Sequence, residues 1–307
     1  MSELAGHLDD YLRLRRALGF KLKREGVVLP QFLEFLHAAG AGTITTELAI
    51  AWAKLPTGVH PITWAHRLGW VRGFASYLKA IDPATEIPPR GVFPRPHQRP
   101  TPYLYSEDDI ARLLSAARSL RPALRAATME ALLGLLAVTG MRIGEALALQ
   151  HDDVDLDAGV LTVTWPKTGH PRLVPLHPST TEALRRYGRR RDRLNPRTGT
   201  SAFFVSSVGN PLTHSTVYWT FNELTTALGL RTGTTRARVH DLRHSFAVRC
   251  LLGWYRDGVD VAAHMATLST YLGHSDPAFT YWYLSASPEL MELAAGRLDT
   301  PVGGDRR

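Results

Sequence analysis

Tyr283 stands nine residues after His274 in the run LGHSDPAFTYWYL, and upstream lie TGMRIGE, carrying Arg142, and HDLRH, carrying His240, Arg243 and His244. These residue types suit cleavage of a phosphodiester without a metal. Such a cut needs a nucleophile, cations or donors for the charge that builds on the phosphate oxygens, and an acid for the departing oxygen. A phenol with an ordinary pKa of about 10 attacks well only where a neighbouring base or a positive field favours its deprotonation. Arginine suits the second task, because its planar fork donates two hydrogen bonds to phosphate and stays charged. Lysine suits the third, and Lys167 lies in the turn of PKTGHPRLVPL.

Each residue also has a plainer reading. Arg142 follows Gly140 and precedes a new helix, so its side chain and the free N–H groups of the helix start could face one anion. A surface charge fits that position equally well. Glu145, three residues on, shares a helical face with Arg142 and can hold it, or a neighbouring strand, in a supporting role. HDLRH puts His240, Arg243 and His244 on one helical face, as general base or acid, phosphate clamp and packing histidine. A histidine pair at this spacing also suits zinc, but the run lacks the glutamate of HExxH and no cysteine cluster completes a site. Lysines in turns such as that of Lys167 are usually plain polarity. Trp219, Trp254 and Trp282 sit among apolar residues at helical spacing and read as core. On a helix, Tyr281 and Tyr283 point to nearly opposite sides, so both cannot reach one phosphate. Tyr281 then reads as a packing residue.

The elements that must position these groups are mostly helices. From Ser106 a helix opens with Asp109 as a weak capping box, LRAATMEALLGLLAVTG forms a buried helix closed by Gly140, and IGEALAL begins another. VLTVTW and RLVPL pair as a short hairpin around PKTGHP. STTEALRRYGRRRDRL, STVYWTFNELTTALGL, HDLRHSFAVRCLLGWYRD and VAAHMATLSTYLG follow as helices, and SPELMELAAGRL is amphipathic if helical. That tail can dock on its own domain or on a neighbouring protomer. The fold class is mainly α with a small β-sheet.

Between Ile81 and Pro102, seven of the chain's twenty prolines fall in twenty-two residues, which predicts extended chain rather than a packed element. This divides the 307 residues into a helical N-terminal domain over 1–85, a linker over 86–103 and a C-terminal domain over 104–307. The N-terminal helices, with Gly40 and Gly58 as stops, carry ten Lys and Arg against six Asp and Glu up to residue 80. Arg13, Arg15, Arg16, Lys21, Lys23 and Arg24 cluster there and are candidates for phosphate contact. The whole chain carries a net charge of +8, which suits a polyanionic partner. Cys250 is the only cysteine, so no intrachain disulfide or cysteine-rich metal site exists, and no apolar run suits secretion or membrane spanning. A reducing, cytoplasmic setting is expected.

Taken together, Arg142, Lys167, His240 with Arg243, His274 and Tyr283 stand in the order of the tyrosine recombinases, the phage-integrase type, which this chain resembles over about 104–295. AIDPATEIPP, RPTPYLYSEDD and TYWYLSASPEL further resemble a subgroup found on transposons and other mobile elements. The resemblance implies an N-terminal DNA-clamping domain of the core-binding, SAM-like kind and a mixed α/β catalytic domain. It implies a nucleoid-associated bacterial enzyme that joins Tyr283 to a 3′-phosphate, with Lys167 protonating the leaving 5′-oxygen and His240 helping to accept the tyrosine proton. Arg142, Arg243 and His274 would stabilise the pentacovalent phosphate. No cofactor or metal is then needed, and the partners are double-stranded DNA, a homotetramer on that DNA, and sister recombinases of the same element. His170 stands where many members have a second lysine. A topoisomerase of type IB, a non-cleaving DNA-binding accessory protein, and a metal-dependent nuclease using His240, Asp241 and His244 are the alternatives.

Overall fold

A computed structural model of the chain describes residues 3–94, 101–164, 171–196, 199–274, 276–285 and 288–298. The chain divides into two compact units, 1–100 and 101–307.

The first unit is built from α1 (Glu3–Ala17), α2 (Glu25–Ala38), α3 (Thr46–Lys54) and α4 (Pro61–Leu78). Their apolar faces meet in one core that includes Leu29, Phe32, Trp52, Val71 and Phe74. Helix α2 starts four residues before the LPQFL run and carries Pro30 inside it. The described first part of the proline-rich segment, up to residue 94, forms no helix or strand and is bound to this unit. The Glu86 N–H donates to the Ile44 carbonyl at 2.8 Å, and the Glu86 carboxylate accepts from the Thr46 N–H at 2.8 Å. Prolines offer carbonyls without N–H partners, and Arg72 on α4 donates to those of Pro88 and Pro89. Phe93 is buried and its ring lies 5.9 Å from that of Trp64.

The second unit begins at α5 (Glu107–Arg118), where Ser106 and Asp109 form the capping box in full. Helix α6 (Ala123–Thr139) is buried on most sides and serves as the central element of the larger core. It ends at Gly140 with φ +60°, where a Cβ would lie 2.4 Å from the Phe246 ring, so only glycine fits. The six-residue α7 (Ile143–Ala148) follows. Strands β1 (Val154–Asp155), β2 (Val160–Val163) and β3 (Arg172–Pro175) form an antiparallel sheet in that order, with Val163 opposite Arg172. The expected hairpin is β2–β3; β1, at two residues, is too short to show a period of its own.

Beyond the sheet come α8 (Pro178–Leu194), α9 (His214–Ala227), α10 (Val239–Arg256), α11 (Val261–Leu272), α12 (Ala278–Tyr281), a 3₁₀ turn over Trp282–Ser285 and α13 (Pro288–Leu298). The fold is thus mainly helical with one small sheet. Trp219, read as core, is 71% exposed, because Val217, Phe221 and Leu224 supply the inward face of α9. The tail helix α13 packs on its own unit: Leu290 is fully buried in a cluster with Val248, Leu251 and Leu268, and Arg256 pairs with Glu289 at 2.5 Å. No helix among the described residues is long and apolar enough to cross a membrane.

Candidate active site

The C-terminal end of α11 organises the site. The last carbonyls of a helix lack internal partners and form the negative end of its dipole, so they attract cations. Three arginines answer them from three different elements. Arg142, before α7, donates to the carbonyls of Leu272 at 3.4 Å and Gly273 at 2.7 Å. Arg172, on β3, donates from Nε to Tyr271 at 2.9 Å. Arg243, on α10, donates to Leu272 and to Gly140, each at 2.8 Å, and is only 2% exposed. Gly273 closes α11 with φ +67°, and a Cβ there would lie 2.9 Å from Arg172 Nη1 and 3.4 Å from Arg142 Nη1. The Leu-Gly-His run therefore needs its glycine twice, for the turn and for the arginines beside it.

Glu145 is the anion at the centre of this cluster. Its carboxylate accepts both Nη atoms of Arg172, at 3.0 and 2.7 Å, Arg142 Nη1 at 2.9 Å and the Arg142 N–H at 2.8 Å. Burial alone would raise its pKa, but the Arg172 fork and the Arg142 N–H outweigh burial and hold the carboxyl below its ordinary range. Glu145 is thus bonded at once to Arg142 and to Arg172 on strand β3. The N–H of Arg142, the residue just before α7, is also taken by Glu145. Arg172, which sequence reasoning left out, has all its nitrogens engaged and holds the strand to α11.

Helix α10 starts where Asp241, fully buried, accepts from the Arg238 N–H at 2.9 Å and from the Arg238 guanidinium. With both oxygens of Asp241 so engaged, the triad His240, Asp241 and His244 does not form a metal-ligand set. The capped turn brings His240, Arg243 and His244 to one face, with the two imidazoles edge-on at 4.7 Å. Desolvation within the site, then the Arg243 guanidinium, push the His240 pKa down to about 4, with Asp241 opposing. The outer edge of His240 is exposed, so water screens part of that effect. His274 is half-buried and also lowered to about 4, by burial first and then by Arg243 and Arg142. Both imidazoles are therefore neutral at neutral pH. Burial lowers the Arg243 pKa to about 10, and the Tyr283 phenol beside it acts in the opposite sense.

Tyr283 is 2% exposed and Tyr281 is 51% exposed. Tyr281, expected to pack, instead faces solvent at the end of α12. The Tyr283 ring lies between His274, stacked at 6.0 Å, and His244, at 5.4 Å, with Trp282 at 5.7 Å. The buried cluster of Ala247, Leu251, Leu272 and Leu290 holds its apolar edge. A second residue missed in the sequence is Thr280, whose Oγ1 lies 2.7 Å from His274 Nδ1.

Arg142, Glu145, His240, Arg243, His274 and Tyr283 thus meet in one place. Lys167 and His170 lie outside the described residues. The basic cluster of the first unit surrounds the α1–α2 turn: Arg13 pairs with Asp10, Arg15 lies 3.8 Å over the Phe20 ring, and Arg16, Lys21, Lys23 and Arg24 are exposed. Three guanidiniums against one carboxylate leave the site an excess of positive charge, suited to an anion whose charge grows during reaction, with a phenol hydroxyl at its edge.

The phage integrase family model matches residues 104–289. A putative integrase/recombinase, y4rB, of Sinorhizobium fredii is 46% identical over 97% of this chain and 98% of its own length. The tyrosine recombinase XerD of Caulobacter vibrioides is 30% identical over 83% of this chain and 79% of its own. Among solved structures, the Tn1549 transposon integrase in complex with a circular intermediate DNA superposes with a TM-score of 0.65 at 16% identity, covering 95% of this chain and 99% of that one. The chain belongs to the phage integrase family of tyrosine recombinases, enzymes that cleave and rejoin DNA strands.

Proposed function

We propose that this protein is a site-specific recombinase of a mobile element that cuts duplex DNA through a 3′-phosphotyrosine at Tyr283. The observation that carries this reading is the placement of the Tyr283 phenol against the buried Arg243 guanidinium, between His274 and His244. In the first step the Tyr283 oxygen bonds to phosphorus as the P–O5′ bond breaks. His240, neutral and therefore free to accept, takes the phenol proton, and a bound phosphate beside it raises its basicity. Lys167 gives a proton to the departing 5′-oxygen. Arg142, Arg243 and His274 face the phosphate oxygens as their charge grows. The 5′-hydroxyl of a partner strand then reverses the step. The phosphodiester energy is retained in the protein–DNA ester, so neither a nucleotide nor a metal takes part.

Four protomers on two duplexes would complete an exchange, alone or with sister recombinases. Arg13, Arg15, Arg16, Lys21, Lys23 and Arg24 of the first unit would hold the duplex through its phosphates, with 1–85 as a clamping domain of the core-binding kind. The mobile-element setting draws on the likeness to an integrase/recombinase and to a transposon integrase solved with DNA.

A randomised library of nicked duplexes, incubated with the protein in excess EDTA, should yield an SDS-resistant protein–DNA adduct and, by sequencing, the preferred site. Failure of any adduct to form, or its dependence on a divalent metal, would overturn the reading. On the selected site, Lys167→Ala should slow cleavage of normal DNA by about 10²–10⁴-fold yet spare a 5′-thio substrate, whose leaving group needs no acid. Equal losses on both would remove Lys167 from the acid role.

A further inference from the structure

The hydroxyl of Thr280 is placed where it decides which nitrogen of His274 carries the proton. Burial first, and then Arg243 and Arg142, disfavour the charged imidazole, so only one ring nitrogen is protonated. Nδ1 lies 2.7 Å from Thr280 Oγ1, which leaves Nε2 as the nitrogen that can face a substrate. Thr280 is fully buried, and among the described residues its hydroxyl has no other hydrogen-bond partner. If Nδ1–H were the donor, the hydroxyl proton would be left buried without an acceptor, a cost sufficient to disfavour that tautomer about fivefold or more. If the hydroxyl donates, both groups are satisfied and Nε2 carries the hydrogen. The geometry is firm on each side: the His274 N–H donates to Ser269 at 2.9 Å, and the Thr280 N–H donates to Pro277 at 2.8 Å.

We infer that Thr280 is a positioning residue for His274, its hydroxyl donating to Nδ1 so that Nε2–H points outward as a donor to a phosphate oxygen. The role toward phosphate rests on the function proposed above; the tautomer does not. Thr280 also stands three residues before Tyr283, so one side chain ties the loop that carries His274 to the segment that carries the nucleophile.

Nitrogen-15 NMR of histidine-labelled protein, with His274 assigned by its loss in His274→Gln, should show Nε2 protonated in the wild type. In Thr280→Val the proton should redistribute toward Nδ1, and Thr280→Ser should restore the wild-type pattern. On the DNA site selected from the library, Thr280→Val should cleave roughly ten- to a hundredfold more slowly, the size of effect lost with outer hydrogen bonds to functional histidines. Thr280→Ser should remain within about threefold of wild type by the same reasoning. In a His274→Gln background the Val substitution should cost nothing further, because it acts through the ring. A wild-type proton on Nδ1 would overturn the inference, as would full additivity of the two substitutions or an unchanged rate in a folded Thr280→Val protein. If the wild type forms no DNA adduct, the proposed function fails, while the NMR result still decides the tautomer.

Discussion

Tyr283→Phe should form no covalent adduct on a nicked duplex, while Tyr281→Phe should form it at a rate close to wild type. The two substitutions remove the same atom two residues apart, so they separate chemistry from packing. Tyr283 lies in an apolar cluster with Leu272 and Leu290, and phenylalanine keeps that contact area. Its folding stability should fall by no more than about 3 kcal/mol, the upper worth of a hydrogen bond to a charged group. Cleavage has no such reserve, because among the described residues Tyr283 is the one phenol that acts on Arg243. Tyr281, 51% exposed, offers its hydroxyl to solvent. Binding of the duplex, read by gel shift, should survive in both variants. Adduct formation by Tyr283→Phe together with its loss in Tyr281→Phe would reverse the assignment.

Glu145→Ala should be the most damaging change to stability in the site. It leaves Arg142 and Arg172, whose side chains are 24% and 11% exposed, without their shared carboxylate beside the equally positive Arg243. Removing one partner of a buried ion pair costs about 3–5 kcal/mol. For a unit of this size that is a fall in melting temperature of roughly 6–20 °C. The same group sets an acid limit. Because the folded pKa of Glu145 is depressed, its contribution is fully present above its unfolded value of about 4.3 and is lost as pH falls through the folded value. His274, with His240, acts earlier by the same linkage: unfolded, each takes a proton near pH 6.5, whereas folded each resists protonation to about 4, so stability declines across that interval as pH falls. Melting temperature against pH should therefore drop in two stages in the wild type. Glu145→Gln should start lower and lack the second stage; an undiminished second stage would assign it to another carboxylate.

Much of this site is legible in the chain because its parts are local. Gly140 before Arg142, the i, i+3 spacing of Arg142 to Glu145 and of His240 to Arg243, and the capping box at Ser106 and Asp109 are each determined within one helical turn. Arg172 and Thr280 escaped because their partners lie far off in sequence or across a turn. Arg172 did leave a signal. It alternates with Val174, which is buried, so an arginine was placed on the inward face of a strand, where it must have an anion or carbonyls to meet. Thr280 shares a helical face with Tyr283, three residues on, a weaker sign that becomes specific only when the turn after Gly273 brings His274 back to it. The proline-rich stretch misled in another way. Its prolines predict a loose linker, but the carbonyls of Pro88 and Pro89 are bound by Arg72, and composition does not reveal that partner.

The most direct test of cleavage through Tyr283 is to map the adduct. A nicked duplex labelled at the 5′ end of the cleaved strand is allowed to react, the complex is digested with protease, and the labelled peptide is sequenced by mass spectrometry. The nucleotide should be found on Tyr283, joined through its 3′-phosphate, with the released strand bearing a free 5′-hydroxyl. A nucleotide on Tyr281 or on any other residue, or a 5′-phosphate linkage, would contradict the account.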